Sequence, residues 1–301
     1  MRQRRIGRTD LAATEVGLAV WSLVTGPGAR SDEDAAALLG AALDLGVGYF
    51  EASDSDDDGR AERLLGAAVR RHRDEVTVAT TFGYDTTPRL WESAPGVPRH
   101  DWSAGFAGRA LDRSLQRLGV EPIDLWLLLH PGTDALESEE LFEFLEAQVE
   151  KGKVRHVGAA LGPGPGWGDE GAAALQERRV AAVETVYNVA EQAPGRDLAA
   201  LATETGAGLV VRDPLAPRLD PAARDLLAFL ERDRGQTLDQ ALLRFALADP
   251  VVATVLPPPG DRDTLATLAG AADLPPLTAD DLDRIAELHE ERFGLEGRAA
   301  P

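Results

Sequence analysis

The stretch Val47-Gly-Tyr-Phe-Glu-Ala-Ser-Asp-Ser-Asp-Asp-Asp-Gly-Arg60 sets the reading of this chain. Val47 to Phe50 reads as a short apolar strand that runs into a carboxylate-rich turn. A helix is predicted directly after it, over Arg60 to Arg73. A polar cluster at the carboxyl end of a strand, in a chain of alternating strands and helices, is where a barrel of that kind carries its chemistry.

Working outward, the same alternation continues. Apolar strands are predicted at Val16–Trp21, Val76–Thr80, Ile123–His130, Val154–Ala160, Val183–Asn188, Gly208–Asp213 and Ala253–Pro257. Ser31 and Ser138 sit where a helix N-cap belongs, each followed by first-turn acids. Further helices are predicted over Ser103–Leu118, around Ala172, over Leu198–Thr203, Thr237–Leu247 and Arg262–Ala271, and last over Ala279–Arg292. Tyr84 to His100 reads as a long loop and Met1 to Glu15 as a hairpin cap. Eight strands alternating with eight helices, plus one extra C-terminal helix, predict a (β/α)8 barrel, with an open doubly wound sheet as the alternative. Residues 1–301 are expected to form a single domain.

Composition narrows the function. Lys+Arg 31 against Asp+Glu 51 gives a net charge of −20, which argues against a nucleic-acid or anionic-membrane surface. With Cys 0 there is no thiolate chemistry and no Cys-held metal. The basic start has no apolar segment behind it and no apolar run reaches the roughly 18 residues of a membrane span, so a soluble, cytoplasmic protein is expected.

Several segments, in order along nearly the whole chain, resemble the aldo/keto reductase family. They are Arg5-Ile-Gly-Arg-Thr-Asp-Leu11, Val16-Gly-Leu-Ala-Val-Trp21, Gly46-Val-Gly-Tyr-Phe50, Gly59-Arg-Ala-Glu-Arg-Leu-Leu-Gly66, Val78-Ala-Thr-Thr-Phe-Gly83, Ser114-Leu-Gln-Arg-Leu-Gly119, Ile123-Asp-Leu-Trp126, Tyr187-Asn188 and Arg244-Phe-Ala-Leu-Ala-Asp-Pro250. The resemblance implies a TIM barrel on whose carboxyl face NADPH hands a hydride to a carbonyl. It also implies a catalytic Asp, Tyr, Lys and His. In this chain the Asp position holds Glu51, the Tyr position Asp56 and the Lys position Thr81; His130 alone is kept. A phenol of pKa about 10 can be tuned to protonate an alkoxide, whereas an exposed Asp at about 3.9 is already ionised. Of the three tyrosines, Tyr49, Tyr84 and Tyr187, none is an evident substitute; Tyr49 shares Glu51's face one layer deeper.

The cofactor positions implied by the resemblance are altered too. Ala160-Leu161 replaces a Ser-Asn pair and Glu184 a Gln. The loop after strand seven, Pro214-Leu-Ala-Pro-Arg-Leu-Asp-Pro221, is short. Pro257-Pro-Pro-Gly-Asp-Arg262 leaves Arg262 as the vestige of an adenosine-phosphate site, opposed by Asp261 and Asp263.

The expected function is therefore an acid/base enzyme working without a cofactor on a small metabolite, by dehydration, cyclisation or isomerisation in a secondary pathway. Glu51, Asp56 and His130 would be its catalytic groups, since paired carboxyls separate into an acid and a base. Trp21, Asp54, Thr81, Trp167, Tyr187, Arg212 and Asp213 would line the pocket, with Arg212 and Asp213 either paired to each other or holding an anionic substrate. The alternatives are an NAD(P)H-dependent oxidoreductase with a changed proton donor, His130 or a water, and a catalytically silent binding protein. NADP is the alternative to no cofactor. A divalent cation on Asp54, Asp56 and Asp58, which begin like a calcium loop but have Leu65 where the closing Glu belongs, is not expected. Trp126 is assigned to the core, His156 to structure, and His72, His100 and His289 to the surface. Oligomeric state is left open.

Overall fold

In a computed structural model of the chain, described over residues 1–56, 58–86, 99–164, 166–231 and 235–293, eight parallel strands form a nearly closed (β/α)8 TIM barrel. A hairpin of β1 (Gln3–Arg5) and β2 (Ala12–Thr14) precedes it. The wall runs β3 (Leu18–Ala19), β4 (Tyr49–Ser53), β5 (Thr77–Phe82), β8 (Ile123–Leu129), β9 (Val154–Ala160), β10 (Ala182–Val186), β11 (Gly208–Arg212) and β12 (Val252–Leu256). Closure is made by Val16 bridging Val255, with Gly17 N donating to Val255 O at 3.0 Å and Val255 N to Glu15 O at 3.0 Å. Outside the wall, β6 (Tyr84–Asp85) and β7 (Arg99–His100) pair antiparallel.

The helices are α1 (Asp32–Asp44), α2 (Arg60–Val69), α3 (Ala104–Leu118), α4 (Thr133–Leu136), α5 (Glu139–Glu150), α6 (Gly168–Gln176), α7 (Gly195–Thr205), α8 (Pro221–Leu226), α9 (Leu238–Ala246), α10 (Arg262–Ala269) and the extra α11 (Ala279–Leu288). Ser31 and Ser138 cap α1 and α5 by accepting from Asp34 N and Leu141 N, as their position in the sequence predicts. Thr237 and Thr278 close reciprocal capping boxes on α9 and α11.

Alternate residues of each strand serve two cores. Tyr49, Ala79, Leu125, Leu127, Ala160, Ala182, Val210 and Ala253 fill the barrel, while Phe50, Val78, Phe82, Trp126 and Leu128 pack beneath the helices. Trp126 stacks on Phe82 with centroids 3.9 Å apart. Strands buried on both faces explain the unbroken apolar runs.

Two departures from expectation bear on the site. The second wall strand begins two residues and ends three residues later than the predicted Val47–Phe50, so Glu51, expected at a strand end in the barrel mouth, lies mid-strand, in register with Ala19 and Ala79. A strand tolerates a buried carboxyl there because Glu51 finds hydrogen-bond donors inside the barrel. The predicted loop Tyr84–His100 begins and ends in the β6/β7 ladder; positions 87–98 lie outside the described residues, as do Asp57 of the carboxylate turn and Pro165 of the Gly/Pro loop. Among the described residues no helix is long and apolar enough to cross a membrane.

Candidate functional site

The middles of β4 and β10 bury the carboxyls of Glu51 and Glu184 inside the barrel, and the carboxyl end of β11 brings the Arg212 guanidinium to them. Glu51 and Glu184 are each 1% exposed. Tyr49 Oη donates to Glu51 Oε2 at 3.1 Å and Trp21 Nε1 to Glu51 Oε1 at 3.3 Å. Arg212 turns inward: its Nε lies 2.7 Å from Glu184 Oε1, and its other arm bonds Leu161 O. One cation does not balance two carboxylates. Burial first, and then the charge of Glu184, push the Glu51 carboxyl well above its ordinary range, with Arg212 opposing. The shift favours the protonated form of Glu51 over the carboxylate. Thr81, in the Lys position, is buried among these groups with its Oγ1 unpartnered.

His130 directly follows β8 at its carboxyl end. Its backbone is left-handed (φ 54) and its N–H donates to Ala160 O at 2.7 Å. Such a conformation is strained by about 1–3 kcal/mol for a non-Gly residue and persists only where the surroundings hold it. Nδ1 lies 2.9 Å from Tyr84 Oη, and Nε2 is buried with no partner. A Cβ on Gly162 (φ +147) would fall 2.5 Å from Arg212 Nη2 and 3.0 Å from His130 Nε2, so both heads converge on one bare Cα. Burial first, with the Arg212 and His100 charges adding to it, lowers His130 to about 4. The ring is neutral at pH 7. Tyr84 in turn stacks on His100 (centroids 4.0 Å), which stacks on Trp102 (4.9 Å). His100, expected on the surface, is thus the middle layer of an aromatic stack.

The other predicted site residues divide. Asp54 is buried beside Arg117, which donates to its carbonyl at 3.5 Å; its own Oδ1 is unpartnered, and burial with Glu62 nearby pushes its carboxyl up. Asp56 is half-buried and raised to about 6 by burial, against a Ser53 hydrogen bond that lowers it. Asp58 is exposed and paired with Arg117 at 3.1 Å. Among the described residues no three His, Asp or Glu side chains converge as a metal site. Trp167 (φ 66) caps α6 and packs on the outer core, and Asp213 (φ 50) is half-buried behind Asn188, which donates to its carbonyl. Arg212 pairs with Glu184 rather than with Asp213. Tyr187 does not join the site: its ring packs on Phe245 beneath the helices (centroids 5.6 Å). Arg262 opens α10, whose Thr264 N–H is taken by Asp261 at 2.9 Å.

Sequence reasoning passed over Tyr84, because its place after β5 matches no catalytic position. Only the pairing of β6 with β7, which fixes where its side chain stands, puts it against His130. Glu184 was legible as a Gln replacement but not as the partner of Arg212.

Fold and site together define a parallel (β/α)8 barrel with a neutral imidazole and a half-buried guanidinium at the carboxyl ends of its strands, and two buried carboxyls within it. The chain belongs to the aldo/keto reductase family, whose sequence model matches residues 15–290. It is 32% identical over 158 residues to the uncharacterized oxidoreductase YqkF of Bacillus subtilis (strain 168), covering 52% of this chain and 48% of that one. It is 32% identical to the aldo-keto reductase yakc [NADP(+)] of Schizosaccharomyces pombe, covering 52% and 44%. The chain spans about half the length of the curated relatives it matches. The holo form of the aldo-keto reductase AKR11C1 from Bacillus halodurans superposes with a TM-score of 0.80, at 26% identity, over 96% of each chain.

These relatives overturn two expectations. A chain that has lost carbonyl reduction and works as a cofactor-free acid/base enzyme does not fit relatives named as an oxidoreductase and an NADP(+) reductase, nor a fold neighbour solved as a holo form. The expectation of no cofactor falls with it.

Proposed function

We propose that this chain is an NADP(H)-dependent oxidoreductase acting on a small carbonyl compound, in which the usual Tyr and Lys positions are replaced and His130 contacts the reacting oxygen. The observation that carries this is the buried, unpartnered Nε2 of His130 beside Arg212. A buried polar nitrogen without a partner is costly unless a ligand completes it.

The residues present fit an anionic dinucleotide. Arg30 bonds Gly260 O, just before α10, and its Nε is buried with no partner. Arg262 extends from the first turn of the same helix. Asp261 caps that helix and Asp263 lies in its first turn, so the two guanidinium groups, rather than the helix N-terminus, would meet a phosphate. Ala160 and Leu161 offer no polar side chain for the carboxamide, so Trp21 would hold that end by packing. When bound, NADPH supplies a hydride to the carbonyl carbon. The protein's part is to fix the carbonyl oxygen on His130 Nε2 and to hold the Arg212 cation near the charge that develops on it.

Tryptophan-fluorescence titration should give an NADPH dissociation constant below about 100 μM, with oxidation of NADPH in the presence of some member of a carbonyl panel. His130→Ala should lower kcat about 100-fold or more while leaving NADPH affinity within about threefold. Absence of NADPH binding at millimolar concentration would remove the reading.

A further inference from the structure

We propose that Tyr84, from the β6/β7 ladder, is the proton source of this site, acting through His130 as a two-step relay to the substrate oxygen. This rests on the oxidoreductase reading above. The geometry is a chain of three places: Tyr84 Oη, 2.9 Å from His130 Nδ1, and on the far side of the ring a buried, unpartnered Nε2. A neutral imidazole has one donor and one acceptor nitrogen, and its partner decides which is which. Phenol is the stronger acid of this neutral pair and imidazole the stronger base, so the phenol donates to Nδ1. The proton of the ring is then on the buried Nε2, on the side of Arg212 and Gly162.

Relay solves a specific difficulty. A neutral imidazole N–H alone is too weak an acid to protonate an alkoxide, because it would leave an imidazolate. With Tyr84 on the other nitrogen the net acid becomes a phenol, of ordinary pKa about 10. The electron pair of the carbonyl π bond moves to oxygen as the carbon accepts the hydride. That oxygen takes the Nε2 proton, and Nδ1 takes the phenol proton. The ring stays neutral and the charge ends on Tyr84 as phenolate. After product leaves, solvent reprotonates Nε2 and Nδ1 returns its proton to the phenolate. The carbonyl is reduced, the dinucleotide is oxidised, and one proton is drawn from water.

The surroundings hold the ring neutral. The groups facing it are Arg212 with its partner Glu184, His100 stacked on Tyr84, and Asp134 of α4 acting on His100. Burial keeps the imidazole from charging above about pH 4. A charged ring would carry a proton on both nitrogens and could not accept from Tyr84.

Tyr84→Phe tests this, since phenylalanine keeps the stack on His100 and removes only the hydroxyl. Expected are a kcat loss of about 100-fold with KM and NADPH affinity nearly unchanged, and a curved proton inventory in the wild type that becomes linear in the variant. Independently of turnover, nitrogen NMR of the cofactor-free protein should show His130 as the Nε2–H tautomer, with that preference lost in Tyr84→Phe. An active wild type matched by Tyr84→Phe, or an Nδ1–H tautomer in the wild type, would overturn the relay and leave the oxidoreductase reading standing. A wild type that neither binds NADPH nor reduces any carbonyl would sink that reading and the relay with it.

Discussion

Glu51, Asp56 and His130 all reach the carboxyl half of the barrel, yet their neighbours give them different protonation. Glu51 is enclosed by Tyr49, Trp21 and Glu184, and burial followed by the charge of Glu184 raises its carboxyl well above the ordinary range. His130 is neutral because burial, then Arg212 and His100, lower it from 6.5 to about 4. Between those values the unfolded chain binds the proton and the folded chain does not. The contribution of His130 to stability is therefore complete above about pH 6.5 and is lost as pH falls toward 4. Asp56 has the opposite sign. Raised from 3.8 to about 6, chiefly by burial, its contribution is present below the unfolded value and lost as pH rises through 6. Urea unfolding from pH 4 to 7 should show His130→Gln losing less stability on acidification than the wild type. Asp56→Asn should gain on the wild type as pH rises over the same window.

At the scale of elements, the site depends on how α2 and the wall strand before it are seated. Gly66 of α2 lies against the end of α3, where an added Cβ would fall 2.0 Å from Leu118 O. Backbone does not yield as a side-chain tip does. Gly66→Ala should push α2 off α3 and destabilise the fold by about 1–3 kcal/mol, read as a lower urea midpoint. Because α2 also carries Glu62, which accepts from Thr80 at 2.8 Å and pairs with Arg117 at 3.2 Å, the Asp54–Asp58 turn should loosen with it. The β6/β7 ladder shows the converse dependence. It is only two residues long on each side, and still it decides that Tyr84 meets His130.

Across the whole molecule, the barrel closes on Glu15, which is fully buried and joined to Arg4 at 2.7 Å and Arg244 at 3.1 Å. Its backbone also pairs with β12, so one residue links the hairpin, the last wall strand and α9. Glu15→Ala would strand Arg244 as a buried cation and should cost about 3–5 kcal/mol, measured by denaturant unfolding. The sequence alone determined the barrel, its strand and helix order, the caps at Ser31 and Ser138, and His130 at a strand end. Those follow from local periodicity and from side chains bonding backbone a few residues away. Only tertiary structure decided that Glu51 stands inside a strand, that Arg212 chooses Glu184, that Tyr187 faces the helices and that Tyr84 faces the site. The physical reason is that charge state and proton paths depend on groups far apart in the chain, such as Glu51 and Glu184 or Tyr84 and His130. Residue spacing along one strand or helix carries no record of those meetings.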